Sequence, residues 1–185
     1  MKKVIIATLV SGVMSSSALA VDAGKGTVTF TGSIIDAPCS IAPGDENQTV
    51  ELGQISNVTL ENGGASSAQS FKINLEGCNL NAKYTDSKGD EQTYNNTVDV
   101  TFAGTEWING TTNTGLLQII GDAKGAGIKL MNKSGAQINI NSAVNQNFVK
   151  GENALSFQAA LQGVNGTTVT PGEFSAVTNF TLQYN

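Results

Sequence analysis

The sequence predicts an all-β chain folded as one β-sandwich, and three observations carry that prediction. From Thr27 onward, short stretches of apolar and polar residues alternate with a period of two, the pattern of strands with one face inside and one outside. Clusters of Gly, Asn, Asp and Ser separate the stretches, and no window keeps a helical period for longer than about two turns. Many short strands punctuated by turns suit two sheets packed face to face.

Before the first strand comes a segment of another kind. Met1-Lys2-Lys3 is followed by the apolar run 4–14 and by Ala18-Leu19-Ala20, the make-up of a secretory signal with an A-x-A cleavage site. The apolar run falls short of the roughly 20 residues that cross a bilayer, and no later segment approaches that length, so no membrane insertion is expected. Residues 1–20 are thus expected to be removed, leaving a mature exported chain from Val21 of a size usual for a single domain.

The first strand candidate is 26–35, within the stretch GKGTVTFTG. Gly24, Gly26, Val28, Phe30 and Gly32 share one parity, and Lys25, Thr27, Thr29 and Thr31 share the other. Further candidates are 48–55, 69–76, 97–103, 115–120, 126–131, 136–141 and 155–162. Asn132-Lys133-Ser134-Gly135 reads as a hairpin loop, Asn62-Gly63-Gly64 and 86–90 read as loops, and the polar segment 81–96 reads as a surface loop of variable shape. The last candidate, 173–184, mirrors the first: Phe174, Ala176, Thr178, Phe180, Leu182 and Tyr184 lie on one parity. A sandwich whose terminal strands are both one-sided leaves edges that invite pairing with another chain.

Composition removes most chemistry. With no histidine, no arginine and two cysteines, the chain cannot assemble a Ser-His-Asp or Cys-His centre or the usual zinc ligand sets, so no enzyme and no cofactor is expected. Cys39 and Cys78, an even pair in an exported chain, read as a disulfide. Asp45-Glu46 and Asp90-Glu91 sit in polar loops and read as solvated charge. The run 121–129 holds glycines and lysines but lacks the GK[ST] ending of a phosphate loop, so it reads as a turn and a strand. Trp107, the one tryptophan, reads as a core or rim anchor rather than a sugar platform. A net charge of −5, more negative once Lys2 and Lys3 are gone, argues against nucleic-acid binding.

Taken in order, the strand Gly26-Thr27-Val28-Thr29-Phe30, then Gly32, the run Ile34-Ile35-Asp36-Ala37-Pro38-Cys39-Ser40-Ile41, Glu76-Gly77-Cys78, and an ending with penultimate Tyr184 and Gly172 thirteen residues before Asn185 make a pattern. It resembles the subunits of chaperone-usher fimbriae, close to the major pilins of type 1 and P pili, over the whole mature chain. The resemblance implies an incomplete immunoglobulin-like β-sandwich lacking its last strand. It implies that residues 21–32 are an N-terminal donor extension and 33–185 the pilin domain, with a groove completed by a strand from a periplasmic chaperone or from a neighbouring subunit. Gly24, Gly26, Val28, Phe30 and Gly32 would then be the donor face. Gly172, Phe174, Ala176, Phe180, Leu182, Tyr184 and Asn185 would form the C-terminal groove strand that the chaperone grips. Expected partners are copies of the chain in a filament, the chaperone, an outer-membrane usher and other fimbrial subunits, with export through the periplasm to the surface. A minor adaptor of the same fimbria, or a glycan-binding tip adhesin, is the alternative role. A tip adhesin is expected to carry a receptor domain where this chain has its donor stretch.

Overall fold

The computed structural model describes residues 25–185; the proposed signal, Val21 and Gly24 lie outside the described residues. The chain divides after Ile34 into two units. In the first, residues 25–34 form no helix and no strand. The second holds every regular element among the described residues.

These elements are β1 (Ser40–Ile41), the short helix α1 (Asn57–Leu60), β2 (Gln69–Cys78), β3 (Lys83–Thr85), β4 (Glu91–Thr93), β5 (Thr97–Ala103), β6 (Glu106–Asn109), β7 (Thr112–Gln118), β8 (Ile120–Gly121), β9 (Ala126–Asn132), β10 (Gln137–Ile138), β11 (Ala143–Asn147), β12 (Gly151–Gly163), β13 (Phe174–Ser175) and β14 (Asn179–Tyr184). The large sheet runs β1-β2-β12-β9-β7-β6, with β10 also on β9, and the small one runs β11-β5-β14. All their pairings are antiparallel.

One core joins the two sheets, as a sandwich requires. From the small sheet Val98, Val100 and Phe102 point inward, alternating with half-exposed Thr97, Asp99, Thr101 and Ala103. From the large sheet Ile73, Leu75, Leu155 and Phe157 meet them. Phe71, Phe102 and Phe157 pack ring to ring, with centroids 5.0 to 6.0 Å apart. Cys39 and Cys78 are bonded, as expected, and lie buried in this core.

The turns form by local chemistry. The Asn132 side-chain oxygen accepts the N–H groups of Ser134 and Ala136, and Gly135 takes the positive φ that closes the β9–β10 hairpin. The segment 81–96, expected to be a surface loop of variable shape, instead holds a hairpin, β3–β4. Its turn closes on the Asp86 carboxylate, which accepts from the N–H groups of Lys88 and Asp90, while Tyr84 stacks on Tyr94 at 4.5 Å.

Two expected strands are absent. Residues 26–35 and 48–55 belong to no ladder, although both carry strand patterning. Alternation fixes which face of a segment is apolar, but a strand exists only where a partner backbone lies alongside. The expected strand 173–184 is broken into β13 and β14, and 136–141 shrinks to β10.

Candidate functional site

The groove is bounded by two sheet edges. On one side β14 pairs with β5 from Asn179–Ala103 to Tyr184–Val98, and its outer edge meets no strand among the described residues. The inward parity holds without a break from Phe174 to Tyr184, across the interruption at 176–178: Phe174, Ala176, Phe180, Leu182 and Tyr184 all pack on the core, and Ser175, Val177, Asn179, Thr181 and Gln183 face outward. Alternation kept where the ladder fails shows that core burial, and not hydrogen bonding, sets this strand's facing.

On the other side, β1 leaves β2 after Ile41. Side chains then hold the chain to the β2 edge: Asp45 accepts the Asn74 N–H at 2.6 Å, and Gln48 donates to the Lys72 carbonyl at 2.6 Å. Beyond Gln48 the segment 49–55 runs outside any ladder, with Val50, Leu52 and Ile55 half-buried against the core. These wall residues lie in a predicted strand, but nothing in their local pattern marks them as part of a site.

Between the two edges lies a cleft of about 1380 Å³. Its floor is core: Phe71, Ile73, Phe102, Leu117, Ile128 and Leu161. Toward the C-terminal end it meets a smaller cavity of about 420 Å³, walled by Ala37, Cys39 and Ile41 on one side and by Phe180, Leu182 and Tyr184 on the other. Ile41 and Phe180 line both. An apolar floor beside the outer edge of β14, which meets no strand among the described residues, is a surface of the kind that accepts an added strand.

Tyr184 sits at the narrow end, edge-on to Tyr94 and Phe148. Its hydroxyl is buried without a hydrogen-bond partner among the described residues, and burial, aided by Tyr94, pushes its pKa up to about 12. Asn185, one residue further, is tied to β5: its N–H donates to the Thr97 carbonyl, and its side-chain amide donates to Asp99 at 2.8 Å. Gly172 is exposed at the wide end, where a Cβ would lie 2.6 Å from the Ala123 nitrogen, so its place reflects a close approach of two backbones.

The predicted donor residues behave differently. Val28 is 75% exposed and Phe30 90% exposed, and Gly26 and Gly32 have open space around them. Val28 and Phe30 are thus two large exposed apolar side chains on one parity of a segment without a ladder.

Residues 28–185 match the family model described as fimbrial protein. The chain is 44% identical over 186 residues to the fimbria A protein of Serratia marcescens, covering 100% of this chain and 98% of that protein. It is 44% identical over 173 residues to the major MR/P fimbria protein of Proteus mirabilis strain HI4320, covering 93% of this chain and 91% of that one. Among solved structures, a chaperone-usher pilus studied for rod uncoiling superposes with a TM-score of 0.74 at 32% identity, covering 91% of this chain and 100% of that one. The crystal structure of the P pilus rod subunit PapA gives a TM-score of 0.66 at 30% identity, covering 80% and 100%. The chain therefore belongs to the fimbrial protein family, with its immunoglobulin-like pilin fold, and is a non-enzymatic structural subunit of a cell-surface fimbrium.

Proposed function

We propose that the chain polymerises by donor-strand exchange: residues 21–32 of one copy fill the groove of the next, whose pilin domain is residues 33–185. The observation that supports this reading most is that an apolar groove beside the open β14 edge occurs in a chain with an exposed Val28 and Phe30 on one parity. A nine-residue strand spans about 30 Å and brings its own backbone donors and acceptors to the β14 edge. Burying Val28 and Phe30 contributes about 1.5 to 3 kcal/mol each. Donor and groove are different surfaces, so contact is head-to-tail and propagates as a filament. Before assembly, a periplasmic chaperone lends the strand, gripping Phe180, Tyr184 and the Asn185 carboxylate, and delivers the subunit to an outer-membrane usher. That the relatives include a major fimbria protein and a pilus rod subunit favours the rod over a minor adaptor or a tip adhesin.

Parity provides the test. Val28→Asp places an unpaired charge in an apolar groove, at a cost of several kcal/mol, while Thr29→Asp lies on the solvent face. Chaperone binding survives both changes, because the donor does not fill its own subunit's groove. Fibre yield, measured on sheared surface material, collapses for Val28→Asp alone. Equal yields from the two variants would contradict the assignment.

A further inference from the structure

The last residue of an edge strand frays unless something ties it down, and Asn185 lies beyond the final ladder pair of β14, Tyr184–Val98. Three bonds tie it. Its N–H donates to the Thr97 carbonyl at 3.2 Å, its carboxylate accepts from the Asn95 N–H, and its side-chain amide donates to Asp99 Oδ2 at 2.8 Å. Asp99 does not stand opposite Asn185. Its ladder partners are Asn145 on β11 and Gln183 on β14, so it reaches Asn185 along the diagonal. The other carboxylate oxygen accepts the Asn145 side-chain amide at 2.6 Å. One carboxylate on the central strand thus bonds the Asn145 side chain of β11 and the Asn185 side chain one residue past β14.

We propose that Asp99 is a positioning residue: it acts through the Asn185 side chain to hold the C-terminal carboxylate in a fixed place, ready for a cationic group of the chaperone. Carboxylate acceptors make stronger hydrogen bonds than neutral ones, which suits a tie that must hold a chain end. The two amides also hold the Asp99 carboxyl below the ordinary aspartate range, so it stays ionised under periplasmic conditions. The proposal rests on the reading that a chaperone grips the chain end.

The test is a double-mutant cycle on capture by the co-expressed chaperone, measured as affinity of the purified full chain. Asp99→Ala is expected to weaken capture about ten-fold, the size of one lost charge-assisted bond. Asp99→Asn, which keeps an acceptor oxygen, is expected to stay within about three-fold of the parent. One glycine added after Asn185 displaces the carboxylate; it should weaken capture by itself and make Asp99→Ala silent. An Asp99→Ala loss of the same size in both backgrounds would overturn the proposal, since a purely structural role does not depend on the chain end. No loss in the parent would overturn it too. Capture unchanged by the added glycine overturns the carboxylate grip itself, a separate failure.

Discussion

Substituting Gly172 by alanine tests whether the mouth of the groove is built by backbone contact. A Cβ at this position would lie 2.6 Å from the Ala123 nitrogen, 2.7 Å from the Asp122 carbonyl carbon and 2.8 Å from the Asp122 Cβ. The two nearest are main-chain atoms, so no side chain can swing aside. The strands there are held by a bridge between Lys124 and Thr170 and by the Glu173 carbonyl, which accepts from the N–H groups of Asp122 and Ala123 at 3.0 and 3.2 Å. Forcing them apart costs about 1–3 kcal/mol as overpacking, and losing one of these bonds adds about 1 kcal/mol. At about 2–4 °C per kcal/mol for a domain of this size, the melting temperature should fall by roughly 5–15 °C. The assay is calorimetry of a chain made monomeric by moving residues 24–32 to its C-terminus through a flexible linker. A Gly172→Ala melt within about 1 °C of its parent would refute the close-contact reasoning.

Replacing Cys39 and Cys78 together by serine opens a loop with a sequence separation of 39 and should cost about 4 kcal/mol on the chain-entropy account, read as lower periplasmic yield and a lower melting temperature. Tyr184→Phe should leave stability near neutral pH almost unchanged, because it removes a buried hydroxyl that has no hydrogen-bond partner among the described residues. The alkaline limb differs. The folded pKa is raised to about 12 while an unfolded tyrosine titrates near 10, so the neutral hydroxyl's contribution is intact below about pH 10 and fades toward pH 12. Tyr184→Phe should flatten that part of a stability–pH curve, and an unchanged curve would show that Tyr184 does not titrate as its burial implies.

How much of this was legible in the sequence follows from what each element depends on. β5 has the expected bounds because its alternation is strict and both of its neighbours are present. The inward set from Phe174 to Tyr184 was legible for the same reason, since parity depends on the core alone. The β3–β4 hairpin was hidden because it is almost wholly polar and is held by the Asp86 turn, the Lys83–Glu91 ion pair and a tyrosine stack. Residues 26–35 and 48–55 carry the strand pattern without the strand, since a ladder requires a partner that these segments do not find within the described chain. The contacts of Gly172 with Asp122–Ala123 and of Asp99 with Asn185 join residues far apart in sequence, so only the register of the folded sheets reveals them.

The central claim is that the groove lacks one strand and that residues 24–32 supply it. Its most direct test is the chain with that stretch moved to the C-terminus, produced without chaperone and compared with the parent by yield, thermal melt and fibre formation. The account predicts a soluble, cooperatively melting monomer that no longer polymerises, and it predicts that Val28→Asp within the transplanted stretch abolishes the gain. A transplanted chain no more stable than the parent, or one stabilised equally with Asp at position 28, would contradict it.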